Sequence, residues 1–464
     1  PPGGPRRTRP ATREAMIPAR SDLANRVATG QAAGLLEHIR DPLFRNAYTL
    51  IFSTGLTSVL GLIYWVLVAR LYSPGEVGAN AAVISSLVFL AGLSMLNLRP
   101  LLSRFIPIAG QRSVRLAVSA YATCLAVAAT AAIVYLAGSQ VWASNGPITT
   151  LRRDPGLTLL FVAGTMAWTI FQLQDGLLIG LRATGMLTIE NALFGVAKMV
   201  LVVAFAALTL VPGYAITMSW VLPMVAAVAI VNLIVFRWLF PRHMRARPLT
   251  DPIVRAATIV RLAAADYLGS LFALSYVALL PVIVINEVGA VAGGRFYIVW
   301  VISSTLQLIA PQMIASLTVE TASDPSTFHV QGRRMLIGML RILVPIGAVA
   351  VIGAPIILSV FGSTYGGDVR LLQLLVIAIL PYSVNTLFIA LLRVTVRPRR
   401  IVVIQASLAG LILGFTVLLI RPFGLEGVGM AFLAGQSIVA AVVLATSLRP
   451  LLVRAPAKSY ASDP

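Results

Sequence analysis

Apolar residues fill long blocks along most of the chain, and short polar segments separate these blocks. Each block has about 20 residues or more, the length that a helix rising about 1.5 Å per residue needs to cross hydrocarbon. The blocks cover residues 47–71, 80–98, 114–137, 156–181, 187–211, 214–240, 264–286, 296–319, 335–361, 369–392, 401–420 and 425–448. The pattern predicts an all-α, polytopic membrane protein of about twelve transmembrane helices, called spans 1 to 12 in chain order.

The distribution of charge predicts the orientation of these spans. Only 11% of the residues are charged, against about 25% in soluble domains, and 58% are hydrophobic. Arginines concentrate before span 1 and after spans 2, 4, 6, 8, 10 and 12. By the positive-inside rule both termini face the cytoplasm, and we expect a multi-pass protein of the cell (cytoplasmic) membrane. The net charge of +20 is spread over many connections instead of one folded face, which argues against nucleic-acid binding.

A weak internal repeat predicts how the spans are grouped. The tetrapeptide Val-Ile-Ser-Ser at residues 83–86 recurs at 301–304, and the same offset brings the start of span 1 close to the start of span 7. We therefore expect two six-helix lobes around a central cavity, the place where transporters bind substrate. The predicted division is a tail with an amphipathic helix (1–46), an N-lobe (47–240), a linker with an amphipathic helix (241–263), a C-lobe (264–448) and a second tail (449–464).

The sequence does not have the residue patterns of a metal, cofactor or enzyme site. Its one cysteine, Cys124, lies in an apolar block, and its three histidines are far apart. Nucleotide-binding and hydrolase motifs are absent, and no outer connection is long enough to form a catalytic domain. We expect no metal and no cofactor, and a transporter instead of an enzyme.

A few polar residues inside spans 4 and 5 are candidates for function. An ionisable group within a span costs at least about 2.5 kcal/mol on insertion scales, so it needs a partner, a watery cavity or a role. Asp175, Glu190 and Lys198, with Arg182 in the turn between the spans, are close enough in sequence to form one charged cluster, and Gln172 shares a helix face with Asp175. The cluster is either functional or a structural network that locks the two helices.

Two arginines at other places are candidates for the wall of the cavity. Arg99 follows span 2, and Arg341 lies about two turns inside span 9. A guanidinium group binds phosphate oxygens bidentately and remains charged in any surroundings. Each of these side chains has an alternative role, in which it extends to the membrane surface.

Several short stretches resemble a known family. They are LYSPGEVG at 71–78, QDGLLIGLR at 174–182, and ENALFG at 190–195 followed by Lys198. The chain resembles actinobacterial polysaccharide-biosynthesis proteins, which are O-antigen repeat-unit flippases of the multidrug, oligosaccharidyl-lipid and polysaccharide exporter superfamily. The resemblance implies a two-lobe fold that moves a polyprenyl-pyrophosphate-linked oligosaccharide across the cytoplasmic membrane by alternating access, for cell-surface polysaccharide biosynthesis.

The resemblance and the polar residues together define the expected site. We expect phosphate or glycan to contact Arg99, Arg182, Lys198, Arg341 and Gln172, and we consider Asp175 and Glu190 for ion coupling. The expected partners are the polyprenyl-linked glycan, membrane lipids and glycan-assembly enzymes, with the protein itself a monomer. Three alternatives stay open: a cation- or proton-coupled multidrug exporter of the same fold, a membrane-embedded glycan polymerase or ligase, and a scaffold for glycan assembly.

Overall fold

The computed structural model describes residues 42–142, 147–211, 213–246, 256–314, 328–395 and 397–448. The chain forms two compact units, Pro1–Phe52 and Ser53–Pro464, and the second contains every candidate membrane span. Across the described ranges all regular structure is helical and no residue belongs to a β-strand. The predicted all-α class is confirmed.

The observed helices follow the predicted blocks along the chain. Spans 1 to 6 are Pro42–Leu71, Pro74–Ser94, Ser113–Trp142, Pro155–Gly180, Thr184–Ala207 and Ala215–Ile234. Spans 7 and 8 form the continuous segment Ala256–Gln307, span 9 is Phe328–Ile352 followed by Ala354–Phe361, span 10 is Val369–Ile377 with Ile379–Val394, and spans 11 and 12 form Pro398–Val443. Short helices at Leu98–Phe105, Pro147–Arg153 and Phe240–Ala246 lie between spans.

Two of these segments are hairpins that cross the membrane twice. The described chain has ten helical stretches apolar and long enough to span a bilayer, and two of them have 49 residues. Each of these two bends at a glycine with positive φ, Gly289 (82°) and Gly424 (57°). A Cβ on Gly293 would lie 3.0 Å from the Cα of Ile285, whereas a straight helix separates such residues by about 12 Å. Counting each hairpin twice gives the twelve spans that the sequence predicts.

Span 2 begins and ends earlier than the hydrophobic pattern predicts. Ser73 caps its start, because the Ser73 side chain accepts from the Glu76 amide while the Glu76 carboxylate accepts from the Ser73 amide. The span ends at Ser94, and Leu96 and Asn97 adopt left-handed φ values of 49° and 55°. Arg99 follows span 2 as predicted, but it lies five residues beyond the end of the span, in the first turn of the separate helix Leu98–Phe105.

The spans pack as two groups of six that meet along span 2. Spans 3–6 contact mainly one another and span 2, and spans 7–12 contact mainly one another. Span 2 has its most extensive contacts with the hairpin of spans 7 and 8. At their closest point a Cβ on Gly78 would lie 2.8 Å from the Gly294 nitrogen, and a Cβ on Gly294 would lie 2.8 Å from the Gly78 nitrogen. Spans 2 and 8 are the equivalent elements of the predicted repeat, and this contact is reciprocal between them.

Further contacts join the two groups near the same end. The Arg70 guanidinium donates to the Val360 carbonyl at 2.8 Å, and the rings of Trp65 and Tyr297 meet edge to face at 4.8 Å. At the start of span 2, burial raises the pKa of Tyr72 to about 12, and its hydroxyl donates to the Val202 carbonyl at 2.8 Å. Span 1 is thus tied both to its own group and to the other one.

The outer surface of the bundle is apolar, as a lipid environment requires. Large side chains such as Leu159 (70% exposed) and Ile352 (81% exposed) have no protein covering them. The predicted amphipathic helix of the first tail, the second tail and residues 251–255 of the linker lie outside the described residues. The domain limits and the orientation in the membrane therefore stay predictions.

We predict that Gly78→Ala destabilises the protein, because the new Cβ would lie 1.9 Å from the Ala290 carbonyl oxygen. The matched control is Gly61→Ala in span 1, where nothing lies within 4 Å of an added Cβ. The melting temperature in detergent should fall for Gly78→Ala, by the equivalent of about 1–3 kcal/mol of overpacking, and stay level or rise for Gly61→Ala. Equal melting temperatures for the two variants would contradict the tight contact between spans 2 and 8.

Candidate functional site

Arg99 anchors the short helix after span 2 to the polar face of span 4. Its guanidinium lies 2.9 Å from Asp175 Oδ2 and donates to Gln172 Oε1 at 3.3 Å. The close approach depends on Gly176, because a Cβ there would lie 2.3 Å from the Arg99 carbonyl oxygen. The Arg99 side chain remains 41% exposed while that of Asp175 is only 13% exposed, so a ligand can reach the cation more readily than its counter-ion.

A second carboxylate lies beside this ion pair. Glu190 of span 5 is 4% exposed, and neither of its carboxylate oxygens has a hydrogen-bond partner among the described residues. Asp175 Oδ1 is likewise buried without a partner, and the two carboxylates are close enough to repel each other electrostatically. The nearby Tyr121 hydroxyl is also unpartnered. Arg99 thus pairs with one of two neighbouring acids, and the other, Glu190, has no cation of the described residues within ion-pair distance.

Lys198 is buried among aromatic rings on the same span. It is 7% exposed, and its Nζ lies 4.7 Å from the ring centres of Tyr64 and Trp220 and 5.2 Å from that of Phe194. No carboxylate of the described chain lies within ion-pair distance of it. Ring faces attract a cation by about 2 kcal/mol or more when water is excluded, so this box can hold a positive charge inside the bundle.

Of the possible cluster that the sequence predicts, the structure keeps Asp175 and Glu190 together and places Arg182 and Lys198 elsewhere. Arg182 is exposed in the turn between spans 4 and 5 with φ of 59°, and Arg99 takes the place beside Asp175. Lys198 is eight residues beyond Glu190, about 12 Å along the helix, and faces the aromatic box. Arg341 is exposed on span 9, with no ion pair to a described residue.

Sequence reasoning missed the junction beside Arg99. Asp266, in the first turn of predicted span 7, accepts from Asn97 Nδ2 at 3.2 Å and pairs with Arg393 Nε at 3.2 Å. The Tyr267 hydroxyl donates to the Leu93 carbonyl next to it. The available signal was an acidic residue inside a predicted span, which marks a functional or structural position. Arg393 is one of the arginines that follow predicted span 10, where membrane orientation alone explains a positive charge.

The comparisons with known proteins place this arrangement in a fold family. No protein-family model and no curated sequence matches the chain. Among solved structures, an inward-facing multidrug resistance MATE family transporter of the MOP superfamily matches with a TM-score of 0.70 at 16% identity, over 87% of this chain and 98% of that one. The chain shares the fold of this transporter.

Other solved structures share the MOP fold. The lipid II flippase MurJ, in an inward closed conformation, matches with a TM-score of 0.67 at 10% identity, over 86% of this chain and 89% of that one. A MOP superfamily transporter from Pyrococcus furiosus, whose binding pocket is described as having reverse polarity, matches with a TM-score of 0.60 at 14% identity, covering 88% and 95%. The resemblance to the superfamily is confirmed at the level of fold, and the likeness to O-antigen flippases stays a prediction.

We predict that Arg99 stabilises the fold mainly by neutralising Asp175. Arg99→Met should lower the melting temperature, because it leaves a mostly buried carboxylate unpaired. The corresponding loss in the free energy of unfolding is on the order of 1–3 kcal/mol. Adding Asp175→Asn should restore most of the loss, and Arg115→Met, at an exposed arginine near the start of span 3, is the control. If Arg99→Met melts like the unaltered protein, the pair contributes nothing to stability.

Proposed function

We propose that the protein is a flippase that moves a polyprenyl-pyrophosphate-linked oligosaccharide across the cytoplasmic membrane by alternating access. One observation carries the proposal: an accessible arginine from each group of six spans lies at the junction between the groups. Arg99 (41% exposed) is two residues from Asn97, and Arg393 (52% exposed) pairs with Asp266, the residue that Asn97 contacts.

These two arginines fit a pyrophosphate because both are exposed enough to reach a ligand, and because Asp266, itself partly exposed, holds Arg393 weakly. Ion pairs with exposed members are worth about 0–1 kcal/mol, whereas phosphate offers oxygens for bidentate bonding by both guanidinium groups. A ligand that pulls Arg393 away from Asp266 also disturbs the Asn97 contact that joins the two groups. Binding would thus favour the state in which the junction is open, which is the requirement for coupling binding to rearrangement.

The rest of the substrate fits the surroundings of the junction. The polyprenyl tail stays in lipid against the apolar outer surface, and the glycan enters between the groups of spans. Arg182, Lys198, Arg341 and Gln172 are proposed as further contacts for phosphate or glycan. Gln172 already bonds Arg99, so its amide also holds the guanidinium in position.

The two buried acids favour a second candidate, a proton-coupled multidrug exporter with the same fold. Asp175 and Glu190 have carboxylate oxygens without partners, and one neighbouring arginine cannot neutralise both. A proton taken up at one face and released at the other would couple transport to a gradient. The same coupling also suits a flippase, so substrate and energy source need separate tests.

The transport test uses the purified protein in liposomes with lipid-linked glycan extracted from the native membranes. A membrane-impermeant sugar-oxidising reagent reports the fraction of glycan in the outer leaflet over time. We expect the unaltered protein and Arg115→Gln to equilibrate the glycan and Arg99→Gln/Arg393→Gln to do so at least about tenfold more slowly, as expected when a charged hydrogen bond is lost at each arginine. Equal rates for the double variant and the control would exclude the proposed role of Arg99 and Arg393 in binding the phosphate.

Depletion of the protein in its native host distinguishes the candidate functions. A flippase predicts that complete lipid-linked units accumulate on the cytoplasmic side. Accumulation of unpolymerised units on the outer side would indicate a polymerase or ligase. Unchanged glycans together with increased drug accumulation would favour the multidrug exporter.

We predict that Glu190 mediates any proton coupling. In liposomes with an imposed pH gradient, Glu190→Gln should transport at the same rate with and without the gradient, because the amide cannot exchange a proton. The control Glu426→Gln changes an exposed acid that is paired with Arg370 at 3.8 Å, and it should keep the stimulation. Gradient stimulation of Glu190→Gln equal to that of the unaltered protein would exclude Glu190 from coupling.

A further inference from the structure

A largely apolar cavity with several polar side chains in its wall lies inside the second group of six spans, apart from the Arg99 site. It has a volume of about 620 Å³ and is bounded by spans 7, 8, 10, 11 and 12. Small-molecule sites in proteins have about 300–1,000 Å³, so this space is large enough for a ligand. Its polar lining residues are Tyr276, Tyr382, Asn385, Thr386, Gln405 and Gln436, with the half-exposed Arg393 at one end.

Three side-chain amides in this lining have atoms with unmet hydrogen-bonding capacity. Asn385 (1% exposed), Gln405 (6%) and Gln436 (0%) are all buried. Asn385 Oδ1 and Gln405 Oε1 have no donor among the described residues, and Gln436 Nε2 has only the Tyr276 hydroxyl near it. Leaving such an atom without a hydrogen-bond partner costs about 1–3 kcal/mol. Three such amides around one cavity therefore indicate a ligand-binding site.

The orientation of two of these amides is fixed by the protein itself. Asn385 Nδ2 donates to the Gln436 main-chain carbonyl at 2.9 Å and to Gln436 Oε1 at 2.9 Å. Of the two polar atoms in a side-chain amide, only the nitrogen can donate a hydrogen bond. Asn385 Nδ2 therefore faces the two Gln436 oxygens, and Asn385 Oδ1 points away from them. Because Gln436 Oε1 accepts this bond, Gln436 Nε2 lies on the other side of its amide. Two unpartnered acceptors and an unpartnered donor therefore lie together within the cavity wall, where these atoms have almost no exposed area.

The chemistry of the lining restricts what this cavity takes. No acidic side chain lines it, so it lacks the oxygen charge that a cation site needs. Amide acceptors and a donor match groups that both donate and accept, and hydroxyl groups do so. The Tyr276 and Tyr382 rings offer apolar faces with polar tips, which suits a ligand that combines C–H faces and hydroxyls.

We infer that this cavity binds a sugar unit of the transported glycan, through its hydroxyl groups, by Asn385, Gln405 and Gln436. The inference rests on the proposed function and adds a saccharide site to it. Arg393 lines the cavity and also belongs to the junction with Asp266. A sugar in the cavity would consequently place its attached phosphate within reach of Arg393, so one substrate occupies both sites.

The test uses the accessibility of one engineered cysteine in the cavity of the full-length protein. The only native cysteine, Cys124, is buried and is replaced by alanine, and Thr386→Cys provides the label site. Three probes are compared: lipid-linked glycan extracted from the native membranes, the lipid-free oligosaccharide that mild acid hydrolysis releases from it, and polyprenyl phosphate, which carries no sugar. The readout is the rate at which maleimide labels the engineered thiol.

Sugar binding predicts that intact glycan lipid and lipid-free oligosaccharide slow the labelling and that polyprenyl phosphate does not. Gln405→Met should weaken this protection about tenfold, the effect of losing roughly one hydrogen bond. Gln373→Met is the matched control, since Gln373 lies on span 10 outside the cavity and bonds the Val351 carbonyl. Unchanged melting temperature and unchanged labelling without probe show that each variant is folded.

The outcomes separate this inference from the proposed function. If glycan lipid is flipped in liposomes but neither sugar-bearing probe protects the engineered thiol, the cavity does not bind the sugar and the flippase stands. If polyprenyl phosphate protects as well as the glycan lipid, the cavity binds the phosphate or tail and the inference is wrong. If oligosaccharide protects the engineered thiol but no flipping occurs, the saccharide site stands and the flippase does not.

Discussion

The lack of water inside hydrocarbon is the constraint on which the whole structure depends. Backbone groups there must bond to each other, which leaves helices as the regular structure of a chain with such long apolar blocks. The same constraint makes each ionisable side chain within a span an exception that needs a partner. Among the described residues of the first group, these exceptions include Asp175, which pairs with Arg99, the neighbouring Glu190, and Lys198, which is enclosed by rings.

The two groups of spans are joined in a way that combines close packing with weak polar contacts. At one end Gly78 and Gly294 bring two backbones together without intervening side chains, and such contacts are rigid and depend on small residues. At the other end Asp266 holds Asn97 and Arg393 through polar contacts, with Arg393 half exposed. The close glycine contact at one end of span 2 resists separation more than the polar contacts of Asp266 at the other end. A rearrangement of the two groups would therefore open the Asp266 end first.

The polar residues of the two groups are organised differently, which suggests a division of tasks. In the first group the charged residues Asp175, Glu190 and Lys198 are buried, a setting suited to charge and proton balance. In the second group the polar residues of the cavity wall are amides, tyrosines and Thr386, with Arg393 at one end, a setting suited to hydroxyl groups. Arg99 and Arg393 lie where the groups meet, so an anionic group that carries a sugar would contact parts of both.

The sequence by itself determined the number of spans, their limits to within a few residues and the helical class, because hydrophobic block length is a local property set by bilayer thickness. It also identified Arg99, Asp175, Glu190 and Lys198 as unusual, because a charged residue in or next to an apolar block can be recognised from the sequence alone. Only the tertiary structure decided which of them meet. Arg99 and Asp175 are far apart in sequence, Lys198 and Trp220 belong to different spans, and Asn385, Gln405 and Gln436 meet through packing of three helices. Such contacts depend on the rotation of each helix about its axis, which hydrophobic periodicity barely specifies when a span is apolar on every side.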